Sequence, residues 1–357
     1  MGYDLRKLVA QQLSAIYKKA SNKKKKVVYT IGNTRVLDDS KYYLTPVREY
    51  KEFIVAGVIV FSEFEAKIIL QEIDGVVDFI FVDCEKKSKN NSHGYFNIER
   101  LSWEIVTRSN LKFYKGNDLT VESIDNFIFH YFLNINQLIG GLNILIIGVG
   151  NIGFKVALKL LERGANIFLF SADENRAQNL SNVLNDIKPK ETIAKAKAYT
   201  KKYNHTILDC IVLTGLAPKE ENTAYLKNNI KQESLILDVG KGCLNSDQIK
   251  LIQNISITPY RLDIGETLEN KIKLELSSEF EFKLPRTINL DNDLILIEVG
   301  VVGRKGEIVV KDIDSPESFI GVCDGEGGLF NLNQNEKKNI INRIQRKLSE
   351  RDHQIDY

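Results

Sequence analysis

Residues 143–165 read Asn-Ile-Leu-Ile-Ile-Gly-Val-Gly-Asn-Ile-Gly-Phe-Lys-Val-Ala-Leu-Lys-Leu-Leu-Glu-Arg-Gly-Ala. The apolar run Ile144 to Ile147 leads straight into Gly148-Val149-Gly150-Asn151-Ile152-Gly153, and Val156, Ala157, Leu160 and Leu161 then recur at helical spacing until Gly164. A pyrophosphate carries negative charge that backbone N–H groups must meet, and side chains would hold it away from them. Gly148 allows the tight turn, Gly150 lets the backbone approach the phosphates, and Gly153 lets the helix pack on the strand. Three glycines at this spacing also serve ordinary turns. The strand before them and the amphipathic helix after them, from Ile152 to about Arg163, point to dinucleotide binding, with Asn151 and Ile152 as candidate contacts beside the glycines.

Working outward, the alternation continues with Ile167–Phe170, a helix near Asn175–Leu184, Thr206–Leu213, Leu235–Val239 and Ile255–Thr258. Strands separated by helices of this length imply parallel pairing through right-handed crossovers, a doubly wound α/β (Rossmann) domain over 136–265. Ligands in such sheets lie across the carboxyl ends of the strands, so Thr214-Gly215 and Asp238-Val239-Gly240 join the same surface. An acid near the end of the second strand favours NAD and an arginine favours NADP. Ser171 lies nearest, with Asp173 and Glu174 close and no arginine before Arg176, so NAD is expected and NADP is the alternative. Asp173 or Glu174 can equally serve only to start the next helix.

Upstream, Leu5, Leu8, Val9, Leu13 and Ile16 mark an amphipathic opening helix, followed by the run Lys23–Lys26, which reads as a solvated loop. Apolar runs at Val27–Ile31, Phe53–Phe61 and Val76–Val82, with a helix near Glu63–Glu72, suggest a small α/β substrate domain over 1–135. Its last element is a bridging helix that Thr120 can cap, with Val121, Ile124, Phe127, Ile128, Tyr131, Phe132 and Ile135 on its apolar face. Downstream, 266–357 form a C-terminal extension. Leu294–Val302 and Glu307–Val310 look like a hairpin, Asp324-Gly325-Glu326-Gly327-Gly328 like a turn or acidic loop, and Ile340, Ile341, Ile344 and Leu348 like a final, returning helix.

At 357 residues the chain suggests two domains, each able to bury a core. With 43% hydrophobic residues, 27% charged and a net charge of +2, no nucleic-acid signature is present and the expected partner is a small-molecule substrate, with a homodimer allowed for. Cys84, Cys210, Cys243 and Cys323 form no C-x-x-C pair, which argues against zinc and a disulfide framework and fits a reducing cytoplasm. His93, His130, His205 and His353 lack metal-ligand spacing, so no metal is expected. The charged first twenty residues and the absence of an eighteen-residue apolar window lead us to expect neither a signal peptide nor a membrane span, hence a cytoplasmic protein.

The order of parts resembles shikimate dehydrogenase and methylenetetrahydrofolate dehydrogenase, within a broader amino-acid-dehydrogenase-like group, over roughly residues 50–265. Leu142–Ala177 and Leu237-Asp238-Val239-Gly240 carry it most strongly. The resemblance implies an NAD(P)-dependent oxidoreductase in which a lysine after a first-domain strand pairs with an aspartate before the bridging helix. The matching residues are Lys86 or Lys87, after Phe79-Ile80-Phe81-Val82, and Asp118, in Asn117-Asp118-Leu119-Thr120. The Thr and Pro usually preceding that lysine, and the Thr between Asn and Asp, are missing, which argues against shikimate as substrate. Hydride transfer to or from a carbon bearing oxygen requires a proton exchange, which a lysine ammonium held by a carboxylate can perform. The same lysines can instead be solvated, and Asp118 a helix cap. The rivals are a non-catalytic dinucleotide-binding sensor and a cyclodeaminase-type lyase that recycles its NAD internally.

Overall fold

The computed structural model describes residues 2–21, 24–34, 43–87, 98–200, 206–215, 229–240, 242–277, 284–291, 293–315 and 318–355. They form two compact units, Met1–Glu275 and Leu276–Tyr357.

The first unit opens with helix α1 (Gly2–Ser21) and a five-stranded sheet made of β1 (Lys26–Asn33), β2 (Tyr43–Glu49), β3 (Phe53–Val60), β4 (Phe79–Asp83) and β5 (Asn110–Tyr114). The order is β2-β3-β1-β4-β5, parallel except for β2 against β3. Leu5, Val9, Leu13 and Ile16 of α1 bury against Val27, Tyr29 and Ile31 of β1, which is what their helical spacing prescribes. Helices α2 (Glu63–Ile73) and α3 (Ile98–Ile105) are the crossovers into β4 and β5. Ser62 caps α2 by accepting from the Glu65 amide.

Helix α4 (Gly116–Asn134) then leads to a second sheet. Its strands are β6 (Asn143–Ile147), β7 (Asn166–Phe170), β8 (Ala196–Ala198), β9 (Leu208–Leu213), β10 (Ile230–Asp238) and β11 (Pro259–Arg261). All pairs are parallel, in the order β11-β10-β9-β6-β7-β8. Counted within the sheet this is 3-2-1-4-5-6 read from β8, the doubly wound Rossmann order, with its switch point between β6 and β9. Helices α5 (Asn151–Glu162) and α6 (Glu174–Ile187) join β6, β7 and β8, and α7 (Ser246–Asn254) joins β10 and β11. Ile144 and Ile146 enter the core on one face, Leu145 and Ile147 the core on the other, so an unbroken apolar run is what this strand requires.

Three expectations change. The run Ile255–Thr258 is not a strand: Ile255 closes α7, Ser256 takes φ +61°, Ile257 plugs the core, and pairing starts at Pro259. Helix α4 starts at Gly116, so Thr120 is not its cap; the Thr120 hydroxyl donates back to the Gly116 carbonyl at 2.9 Å. In the second unit, β13 (Leu294–Glu298) and β14 (Ile308–Val310) are parallel, so they do not form the expected hairpin. The antiparallel neighbours are β12 (Thr287–Asp291) with β13, and β14 with β15 (Phe319–Val322). Helix α9 (Gln334–Ile355) covers one face of this sheet, burying Ile344 among Leu294, Leu296, Ile308 and Val310.

Helix α8 (Gly265–Ser277), whose residues up to Glu275 belong to the first unit, returns to the first sheet's side. Ser123 of α4 donates to Thr267 of α8 at 2.7 Å, and Lys112 of β5 pairs with Glu275 at 3.5 Å. Arg48 of β2 grips Asp263 with two bonds of 2.9 and 2.7 Å, and the Tyr50 hydroxyl donates to the Gly265 carbonyl at 3.1 Å. The guanidinium bond holds the Asp263 carboxyl below its ordinary range. Among the described residues no helix is long and apolar enough to cross a membrane.

Candidate functional site

The β6–α5 turn combines confinement with one open edge. Gly148 has φ +101°, a conformation that glycine adopts without strain. A Cβ on Gly148 would fall 2.9 Å from the Gly215 nitrogen, and one on Gly153 only 2.2 Å from the Gly148 carbonyl oxygen. A Cβ on Gly150 would meet nothing within 4 Å. Gly150 caps α5 in an extended conformation with no side chain bonded to the helix end. The first amides of a helix have no acceptor inside it, so those of Asn151 and Ile152 are available to an anion here. The chain therefore fits a dinucleotide pyrophosphate at this turn.

Two further turns close around it. Thr214 donates its hydroxyl to the Gly148 carbonyl and its amide to Ile147, locking the end of β9 onto the glycine turn. Gly215 and Gly240 lie against each other, and the Cys243 thiol, buried beside them, donates to the Gly215 carbonyl at 2.9 Å. Burial first, then the Asp238 carboxylate, pushes that thiol up to about 12, so it packs as a neutral group. Asp238 itself is buried and held by Arg261 at 2.9 Å and by the Gly242 and Cys243 amides at 3.2 and 3.4 Å. It shapes the turn after β10.

At the end of β7, Asp173 caps α6 by accepting from the Arg176 amide at 3.1 Å, and Ser171 accepts from the Asp173 amide. The Arg176 guanidinium reaches back to the Val149 carbonyl at 3.2 Å, which puts a cation at the rim of the glycine turn.

The lysine segment is organised differently from the expected pair. Lys87 Nζ lies 2.6 Å from Asp83 and 3.0 Å from Glu85, whereas Asp118 is 2.5 Å from Lys155 of α5 and half exposed. The expected ion pair of Lys87 with Asp118 is thus replaced by two carboxylates from Lys87's own segment. These carboxylates have a second task. The cap position of α4, Lys115, bonds no helix amide through its side chain; Asp83 instead accepts from the Gly116 amide at 3.1 Å and Glu85 from the Asn117 amide at 2.7 Å. A borrowed cap is why Asp118 was free to face α5. Asn33, at the end of β1, pins the loop by donating to the Asp83 and Glu85 carbonyls and accepting from the Lys87 amide. A Cβ on Gly116 would fall 2.7 Å from Asp83 and 2.8 Å from Lys87 Nζ, so a side chain there would have to displace those two groups. Cys84 donates to the Tyr114 carbonyl; burial, then Glu99 and Asp83, raise its thiol, so it is no thiolate nucleophile. Lys86 stands one residue away, on the same loop.

Asp83, Glu85, Gly116, Asn117 and Asn33 were not singled out from sequence. The alternation Asp83-x-Glu85-x-Lys87 was the available signal.

Helices α4 and α5 lie side by side with their N-termini together. Asp118, Glu122 and Asp125 face Lys155, Lys159 and Arg163 at 2.5, 2.9 and 2.8 Å, above the packed Ile124, Ile128, Val156 and Leu160. At the open end, the Asn117 side-chain amide donates to the Asn151 side chain at 3.2 Å. The lysine loop and the glycine turn are therefore neighbours. Among the described residues, no group of three or more His, Cys, Asp and Glu side chains could hold a metal ion.

No protein-family model matches the chain, and no curated protein matches it. Among solved structures, the A chain of dipicolinate synthase from Bacillus subtilis is similar at 14% identity, covering 70% of this chain and 77% of that one, with a TM-score of 0.33. A shikimate dehydrogenase in complex with NADP+ shares 13% identity over 71% and 97% of the two chains, TM-score 0.38. L-tryptophan dehydrogenase from Nostoc punctiforme shares 9% over 71% and 74%, TM-score 0.38. The strand order and the geometry of the glycine turn establish the fold.

Proposed function

We propose that the chain is an NAD(P)-dependent oxidoreductase acting on a small polar metabolite, of the hydroxy/oxo or amino-acid kind, bound where the first sheet's lysine loop faces the glycine turn. The observation that carries the reading is the contrast among the glycines: Gly148 and Gly153 have no room for a side chain because the protein fills it, and Gly150 has room that the protein leaves open. The dinucleotide, when bound, supplies or accepts a hydride. The amides at the start of α5 hold its phosphates, and the interlocked turns at Thr214-Gly215 and Val239-Gly240 present backbone to its nicotinamide end. Lys87 Nζ, held by Asp83 and Glu85, exchanges the proton that accompanies hydride transfer.

Arg176 takes the 2′-phosphate, so NADP binds more tightly than NAD. This reverses the leaning drawn from Ser171, Asp173 and Glu174, because Asp173 is engaged in capping α6 while Arg176 reaches the turn. A second reading has its own support: Asp83 and Glu85 cap α4 and Lys87 neutralises them, which a non-catalytic dinucleotide-responsive protein would also need. Calorimetric titration with NADPH tests the turn, and a metabolite screen following absorbance of the reduced nicotinamide separates the two readings. Binding without turnover across hydroxy, oxo and amino acids would favour the second.

A further inference from the structure

We infer that Asn117 is a positioning residue that couples occupancy of the glycine turn to Lys87. The inference rests on the cofactor reading above and goes beyond it, because it assigns a role to a residue that touches neither phosphate nor proton.

The connection is continuous. Asn151 is the first residue of α5 after Gly150, so its amide belongs to the anion-binding end and its side chain accepts from Asn117 at 3.2 Å. The Asn117 backbone amide donates to Glu85 at 2.7 Å, and Glu85 lies 3.0 Å from Lys87 Nζ. The alternative route is stiff: the ion pairs and apolar contacts of α4 with α5 hold the helix bodies together, and Asn33 pins the loop backbone. The Asn117–Asn151 bond is exposed and joins the two helix ends where the anion arrives. An anion that fixes the Asn151 backbone fixes the acceptor of that bond, and with it the first turn of α4 on which Glu85 and Lys87 are seated. Coupling of this kind is an energy shared between two sites and is measured as a ratio.

The experiment uses the full chain, trace acetic anhydride and mass spectrometry, reading acylation of Lys87 against exposed Lys250 with and without saturating NADPH. In the wild type, NADPH should slow Lys87 by about fivefold or more. In Asn117→Ala, which keeps the backbone bond to Glu85, that ratio should shrink to within about twofold of unity, with an unchanged melting curve and NADPH affinity within about twofold of wild type. A merely structural Asn117 would alter the rate equally with and without NADPH. Wild-type protein that binds NADPH with no change at Lys87, or a variant that keeps the full ratio, overturns the coupling and leaves the cofactor reading standing. Failure of NADPH to bind at all removes both.

Discussion

Gly240 rests on the carbonyl oxygen of Gly215 so closely that a Cβ at position 240 would lie 1.7 Å from it and 2.5 Å from the Cys243 sulfur. The turns after β9 and β10 are held in contact by the absence of one methyl group. Gly240→Ala should therefore separate them, costing about 1–3 kcal/mol of stability as an overpacked core does. Cofactor affinity should fall by about tenfold. Urea denaturation and NADPH titration check both; a variant as stable and as tight-binding as wild type would mean that the contact is slack.

Gly150→Asp should have the opposite profile. Its extended backbone and the empty space around its Cβ position accept a side chain, and aspartate is a good helix cap, so the fold should persist. A carboxylate would then occupy the proposed phosphate site, and NADPH binding should vanish. Retained binding in a folded variant would move the cofactor elsewhere.

Arg176→Ala should weaken NADP by about tenfold to a hundredfold, the effect of losing a charged hydrogen-bond partner, and leave NAD within about twofold. Side-by-side calorimetry decides it. Equal losses for the two cofactors would mean that Arg176 only steadies the Val149 carbonyl.

Lys87→Met should reduce turnover by about a hundredfold to ten-thousandfold once a substrate is in hand, with cofactor affinity little changed. Asp118→Ala should matter far less, because a half-exposed pair with Lys155 contributes about 0–1 kcal/mol. If Asp118→Ala were the damaging change and Lys87→Met neutral, the proton would travel by another path.

Asp74 offers a pH test away from the site. Burial raises its carboxyl, but the Ser109, Arg108 and Thr107 amides and the Arg108 side chain lower it by more, leaving it at about 2 against an ordinary 3.8. A depressed acid stabilises the fold above its unfolded value and loses that contribution as the pH falls through the folded one. Wild type should therefore exceed Asp74→Asn by about 2 kcal/mol at neutral pH, and the gap should close between pH 3.8 and about 2. Urea midpoints across that range measure it; a gap independent of pH would mean that the amides do not depend on the charge.

The second sheet was legible because its strands are buried on both faces: Ile144–Ile147 can be little else, and the glycines after it specify their own turn. Strands β8 and β11, three residues each, carry no run long enough to read. The parallel pairing of β13 and β14 escaped because apolar runs on either side of a glycine-rich link do not encode strand direction. The ion-pair partners of Lys87 were not legible in the same way. Asp83 ends β4, Glu85 follows it in the lysine's loop, and both reach the start of α4 through the parallel alignment of β4 with β5, a tertiary relation that spacing cannot express.

The facing rows of α4 and α5 resemble a ladder whose rungs are alike. Acids stand at 118, 122 and 125 and bases at 155, 159 and 163, so sliding one helix past the other by a turn would still set opposite charges together; Lys159 already reaches Asp125 at 3.8 Å as well as Glu122. Such a ladder supplies adhesion without an address. The address comes from Asp125, buried and forked onto Arg163 by two bonds of 2.8 Å, and from the isoleucines beneath it. Reversing the charges of both rows together would preserve the grip of the helices, while losing that single fork would leave them attached but unsure of their place.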